Sequence, residues 1–308
     1  MKLAFILALL TRFFSGNAVD VHPRLHGPIL VLAGGGGDID AAMQAAIDRV
    51  RGCTACDTKL DVVVLRASGA DGYNDWFMNL HGVDSIASIV ITDRDSAERD
   101  DVVREVENAE VVFFAGGDQC NYVRWIKGTK TSRAIEKLYR RGGAIGGTSA
   151  GLAIQSEIAY DACPDQSAQS KDVLLDPFHV DVSLSRGFFT WPTMRGTIAD
   201  THFSQRERMG RLLVFLARSM TTERKLLGIG VSEATCVLVD GRGNAEIFGA
   251  GPVHLIRADK RAEVLERGKP LTFRGFHVWE LATGEKFSLK HWPKDGGRTL
   301  DVINGEIK

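Results

Sequence analysis

The feature that most constrains this chain is a series of short, unbroken apolar runs separated by glycine turns and amphipathic stretches. Residues 28–33 read Pro-Ile-Leu-Val-Leu-Ala and 62–65 are wholly aliphatic; 86–91 (apolar but for Ser88), 110–115 (apolar after Glu110) and the shorter 143–145 belong with them. A strand with one wet face alternates apolar and polar residues, whereas unbroken runs mark strands covered on both faces. Ile39, Met43, Ile47 and Val50 recur at helical spacing after Asp38, a capping residue type, and Gly52 ends that helix. Residues 96–108 and 133–141 predict two further helices. Buried strands alternating with amphipathic helices give an α/β fold: a three-layer α/β/α sandwich around a mostly parallel sheet.

Beyond residue 152 the pattern loosens. Residues 161–192 predict long loops, 196–199 a short strand and 203–220 a helix. Strands follow at 227–231 and 235–239. From residue 245 onward the chain is β-rich, with a hairpin expected from 276–281 and 286–289 around Ala282-Thr283-Gly284. No linker divides the chain, so residues 19–308 read as one domain with 245–308 as a β-rich extension. Residues 1–18 have a basic start, a short apolar run and small residues at Gly16 and Ala18. They read as a cleaved secretory signal and predict a secreted or periplasmic protein. That run is too short to span a bilayer.

Lys plus Arg number 38 against 39 Asp plus Glu, so no overall field points to nucleic acid or to an anionic membrane. Of five cysteines, at least one stays free in an exported chain. Cys53 and Cys56 form a local disulfide or remain two idle thiols; with no second Cys/His pair nearby they make no metal site. The glycines at 34–37 lack the third glycine of a dinucleotide fingerprint and the Gly-Lys-Ser/Thr of a phosphate loop. Neither a metal nor a cofactor is expected.

Chemistry collects where strands end. Gly146-Gly147-Thr148-Ser149-Ala150-Gly151, between a strand and helix-compatible residues, reads as a nucleophile elbow with Ser149 at its apex. The Ala150 N–H then faces a forming oxyanion, and the Gly117 N–H, from the parallel turn after 110–115, completes the hole. A serine nucleophile needs a base and the base an orienting acid. Of eight histidines, His202 alone comes straight off a strand at this edge. Glu233 is the candidate orienter and Asp200 its rival. Arg206, Arg208 and Arg211 follow the histidine and suit a substrate carboxylate.

Four motifs occur in order: Phe114-Ala-Gly-Gly-Asp-Gln119, Gly146-Gly-Thr-Ser-Ala-Gly151, Asp200-Thr-His-Phe203 and Gly228-Ile-Gly-Val-Ser-Glu233. Together, over residues 28–240, they resemble the cyanophycinase and aspartyl-dipeptidase family of serine peptidases. The resemblance implies a flavodoxin-like sheet akin to class I glutamine amidotransferases, with serine in place of their cysteine. It implies a triad of Ser149, His202 and Glu233 and substrate contacts at Asp118, Gln119, Thr201, Arg206, Arg208 and Arg211. Cyanophycinases resemble Asp-Gln-His-Phe at the histidine motif, and this chain has Thr201 in the glutamine's place. The serine chemistry is untouched by that change, while the substrate is opened to another acidic or isoaspartyl peptide.

The expected activity is therefore a secreted serine exopeptidase acting on cyanophycin or another Asp- or Arg-containing peptide, with a homodimer as the assembly to test. Two other readings compete. A non-catalytic nucleotide or anion module would use the 34–37 loop at a helix N-terminus. An α/β-hydrolase esterase is disfavoured by chain order, since that fold places its acid before its histidine.

Overall fold

The structure is a computed structural model that describes residues 11–164, 166–223 and 225–308. The apolar runs become one sheet. Its first six strands are β1 (Arg12–Gly16), β2 (Ile29–Ala33), β3 (Leu60–Arg66), β4 (Val83–Val90), β5 (Val111–Phe114) and β6 (Ala144–Thr148). β4, β3, β5, β6 and β2 lie parallel, side by side in that order. Every residue of β2, β4, β5 and β6 is buried, including Asp84, Ser85 and Ser88 of the otherwise apolar β4. β1 pairs antiparallel along the edge of β4, from Arg12 opposite Ile89 to Gly16 opposite Ser85. The stretch just before the expected cleavage point is thus a strand of the sheet. The apolar run of the expected signal, up to residue 10, lies outside the described residues.

α1 (Asp40–Arg51) follows β2, α2 (Asn74–Met78) precedes β4, and α3 (Arg94–Glu98) and α4 (Asp100–Asn108) lead to β5. α5 (Gln119–Trp125) and α6 (Lys130–Arg140) lead to β6, and α7 (Ala150–Ala153) follows it. Gly52 closes α1 in a left-handed conformation, as expected. Asp38 does not cap it: Ile39 holds the N-cap position without a side-chain bond, and burial pushes the Asp38 carboxyl above its ordinary range. The helix expected over 96–108 is broken by the extended backbone of Arg99.

The second half is built differently. Its elements are β7 (Ile158–Tyr160), α8 (Ser170–Leu175), β8 (Leu184–Arg186), β9 (Thr197–Asp200), α9 (Met209–Ser219), β10 (Leu226–Val231) and β11 (Thr235–Asp240), followed by β12 (Asn244–Gly249), β13 (Val253–Ala258), β14 (Phe273–Leu281), β15 (Lys286–Ser288), β16 (Arg298–Ile303) and β17 (Glu306–Ile307). β11, β12 and β15 extend the first sheet beyond β2. The others form a second sheet in the order β17-β16-β14-β13-β10-β9-β7-β8, with β9 parallel to both β7 and β10.

Two expectations fail here. The hairpin from 276–289 does not form: β14 pairs with β13 and β16, while β15 pairs with β12 in the other sheet. The turn between them is a crossover. The helix expected from residue 203 begins at Met209, because His202 and Glu207 take positive φ values of 45° and 50° that no helix accommodates. One apolar cluster fills the space between the sheets. It joins Leu30, Leu32 and Phe114 of the first to Leu227, Ile229, Val231 and Leu255 of the second, with Ala150 and Leu152 included.

Candidate active site

β6 delivers Ser149 at φ 53°, ψ −112°, outside both helical and strand regions, and α7 starts at the next residue. This is a sharp strand-to-helix turn, and only glycine fits beside it. A Cβ on Gly147 would lie 2.5 Å from the Phe114 carbonyl oxygen, and one on Gly151 2.2 Å from the same atom. Ser149 occupies the N-cap position, so the Ala150 N–H is among the first-turn donors that a helix leaves without an internal partner. The turn after β5 lies alongside, with a Cβ built on Gly116 3.6 Å from the Ser149 Cβ and Gly117 at φ 141°.

His202 arrives from the other sheet, two residues past the end of β9. Its Nε2 is 2.8 Å from Ser149 Oγ, and its Nδ1 is 2.5 Å from Glu233 Oε1. The carboxylate on Nδ1 fixes the tautomer: Nδ1–H donates to Glu233, leaving Nε2 to accept from the serine hydroxyl. Asp200, the rival orienter, turns away and takes both Nε and Nη2 of Arg211 at 2.7 and 2.5 Å. Burial lowers the His202 pKa below its ordinary value, the bond to Glu233 opposes that, and Arg206 and Arg208 lower it further.

The three side chains therefore meet between two sheets and not along the rim of one. Glu233 sits in the three-residue crossover that carries the chain from β10 in the second sheet to β11 in the first. The 34–37 glycines hold this junction together. Gly34 O accepts the His202 N–H (2.8 Å) and Gly35 O accepts the Ala234 N–H (2.9 Å). Gly35 has φ 97°, and a Cβ there would fall 2.4 Å from the imidazole. Sequence reasoning took these glycines for a turn or an anion loop, yet their close approach to His202 accounts for them. Gln205 was missed altogether; its Oε1 accepts the Glu233 N–H at 2.8 Å. No local pattern marks such a contact.

The expected substrate residues divide into inner and outer groups. Arg211 is 2% exposed, with its remaining Nη1 on Ser167 Oγ and the Ala168 carbonyl. Thr201 is buried, and its carbonyl and hydroxyl both accept from Arg208, whose guanidinium burial pushes down to about 10. Asp118 caps α5 through the Cys120 N–H. Gln119 reaches toward the Tyr160 carbonyl at 3.4 Å. Arg206 is exposed and lines a cavity of about 410 Å³ with Ser167, Gln169, Ser204, Arg208 and Arg211. Among the described residues, no cluster of three or more His, Cys, Asp or Glu is arranged to hold a metal ion.

Residues 67–246, more than half of the chain, match the model of peptidase family S51. The chain belongs to that family. As an S51 member it is a serine-type peptidase. Similar curated proteins include the cyanophycinase of Synechococcus elongatus, 25% identical over 268 residues that cover 81% of this chain and 78% of the relative. The cyanophycinase of Geminocystis herdmanii is 27% identical over 222 residues, covering 70% and 76%. A crystal structure of a peptidase from an acI-B1 Actinobacterium shares the fold, with TM-score 0.54 and 17% identity over 86% of this chain and 98% of that one. The S51 match begins after β3 and ends within β12, so it takes in all four motifs and omits β1, β2, β3 and the strands from β13 on.

Proposed function

We propose that this S51 peptidase cleaves aspartyl or isoaspartyl peptides through an acyl-enzyme. Ser149 is the nucleophile, His202 the general base and then acid, and Glu233 the group that holds the imidazole. The observation that carries this reading is the unbroken chain of contacts from Ser149 Oγ through His202 to Glu233. His202 takes the hydroxyl proton as Ser149 attacks the scissile carbonyl, and the Ala150 and Gly117 N–H groups receive the oxyanion. His202 then returns the proton to the leaving amine, and water repeats the sequence to release the acyl group.

The exposed guanidinium of Arg206, backed by Arg208, suits a substrate carboxylate, and Gln119 is kept as a second substrate contact on the family resemblance. Arg211 acts from behind, holding Asp200, the Ser167 hydroxyl and the Ala168 carbonyl in place. Thr201 stays beneath Arg208, where a longer glutamine side chain would reach further. That difference favours an acidic or isoaspartyl peptide other than cyanophycin as the preferred substrate. The disulfides Cys53–Cys56 and Cys120–Cys163 support a secreted or periplasmic location.

Incubation of the purified protein with cyanophycin and with α- and β-aspartyl dipeptides, beside Ser149→Ala, tests this. Release of free aspartate or of an aspartyl product by the wild type alone is the expected result. Equal release by the variant removes the mechanism. N-terminal sequencing of exported protein decides whether cleavage near Ala18, which would take β1 off the sheet, takes place.

A further inference from the structure

Outside the triad, one covalent bond joins the helix that begins with Gln119 to the segment that carries Ser167 and Gln169, two residues of the pocket wall. Cys120 and Cys163 form a disulfide across 43 residues of chain. Cys120 is the second residue of α5, directly after Gln119, and is 2% exposed. Cys163 belongs to the stretch between β7 and α8, whose described residues make no helix or strand. Scattered contacts anchor that stretch. Asp161 accepts the Cys163 N–H at 3.1 Å and also the Ser185 hydroxyl. The Ala168 N–H donates to the Tyr160 hydroxyl at 2.8 Å, and Arg211 Nη1 donates to Ser167 Oγ at 2.9 Å. Ala162 has φ 48°, a left-handed conformation that alanine adopts only where its surroundings impose it.

We propose that the Cys120–Cys163 bond is a positioning element for substrate: it holds the Gln119 turn at a fixed separation from the 166–169 side of the pocket. This rests on the reading above, in which Gln119 and Arg206 face the peptide. The Gln119–Tyr160 contact, at 3.4 Å, is too long to hold the two segments by itself. Ser167 and Gln169 line the cavity that Arg206 enters, so a shift of this stretch reshapes the pocket directly. Ser149, His202 and Glu233 contact one another without either cysteine. Opening the bond therefore loosens binding and leaves the reacting groups in place. Ordering the freed segments is then charged to each binding event, which raises KM without lowering kcat.

The experiment uses the full chain carrying Cys53→Ser and Cys56→Ser, so that a phosphine reductant acts on one disulfide, with mass spectrometry reading its state. KM for the best-cleaved aspartyl peptide of the panel is expected to rise about tenfold on reduction while kcat stays within about twofold. Reoxidation restores the original KM, and Cys163→Ser shows the high KM with or without reductant. An unchanged KM with the bond demonstrably open overturns the proposal, as does a loss confined to kcat. Failure of the oxidised protein to hydrolyse any peptide in the panel overturns the preceding functional reading instead.

Discussion

The two sides of the proposed catalytic pair are held in different ways. Ser149 is positioned by backbone: a strand buried on both faces runs into a turn so crowded that Gly147 and Gly151 press on one carbonyl oxygen of β5. His202 is positioned by assembly: it leaves a strand of the second sheet, takes its N–H bond from a loop of the first, and leans on an acid in the crossover between them. A change that crowds the Ser149 turn should cost stability first, whereas a change that crowds His202 should leave a folded protein whose groups no longer meet.

That contrast can be tested from its strongest consequence downward. Ser149→Ala removes the nucleophile while changing no backbone demand, and kcat should fall on the order of a millionfold with thermal stability near wild type. Glu233→Gln keeps the shape but withdraws the charge that favours the protonated imidazole. A loss of about 10³- to 10⁴-fold is expected, again in a folded protein. Retention of more than a tenth of the activity would show that Glu233 is not the orienting acid.

The two glycines separate the sides most cleanly. Gly35→Ala drives a methyl into the His202 ring and should cost about a hundredfold in kcat/KM, the scale of a misplaced catalytic group. Gly147→Ala pushes on backbone instead and should appear first as a stability loss of about 1–3 kcal/mol in denaturant unfolding. Similar stability and activity profiles for the two variants would erase the distinction. The smallest effect is on pH dependence. His202 must be neutral to accept the serine proton, and burial holds its pKa below that of a free imidazole. The acid limb of kcat/KM should therefore lie below the pKa of a free imidazole, and Arg206→Gln, by removing a positive neighbour, should move it upward.

Legibility in the sequence follows the same division. β2, β3, β5 and β6 are covered on both faces, so each is written as a continuous apolar run, and the elbow follows from two glycines flanking Ser149. The parallel arrangement and the three catalytic candidates came from these signals and from the order of the motifs. The second half left a fainter trace, because β7, β8 and β15 are three residues each and β14 mixes buried and exposed positions without a regular period. Periodicity cannot say that β10 and β11, three residues apart, belong to different sheets. The false helix start at residue 203 had apolar and basic residues at suitable spacing, and only the positive φ values of His202 and Glu207 exclude it. The partner of Cys120 was unreadable for a related reason, since spacing does not encode a disulfide closed by tertiary contact.

The crossover at Glu233 also bears on biosynthesis. The acid is joined to β10, and β10 is flanked by β13, a strand that emerges only after residue 253. A growing polypeptide therefore carries its serine and histidine long before the strands that seat the acid exist. On the proposed reading, the Ser149–His202–Glu233 relay is completed only once residues beyond 253 are available to pair with β10.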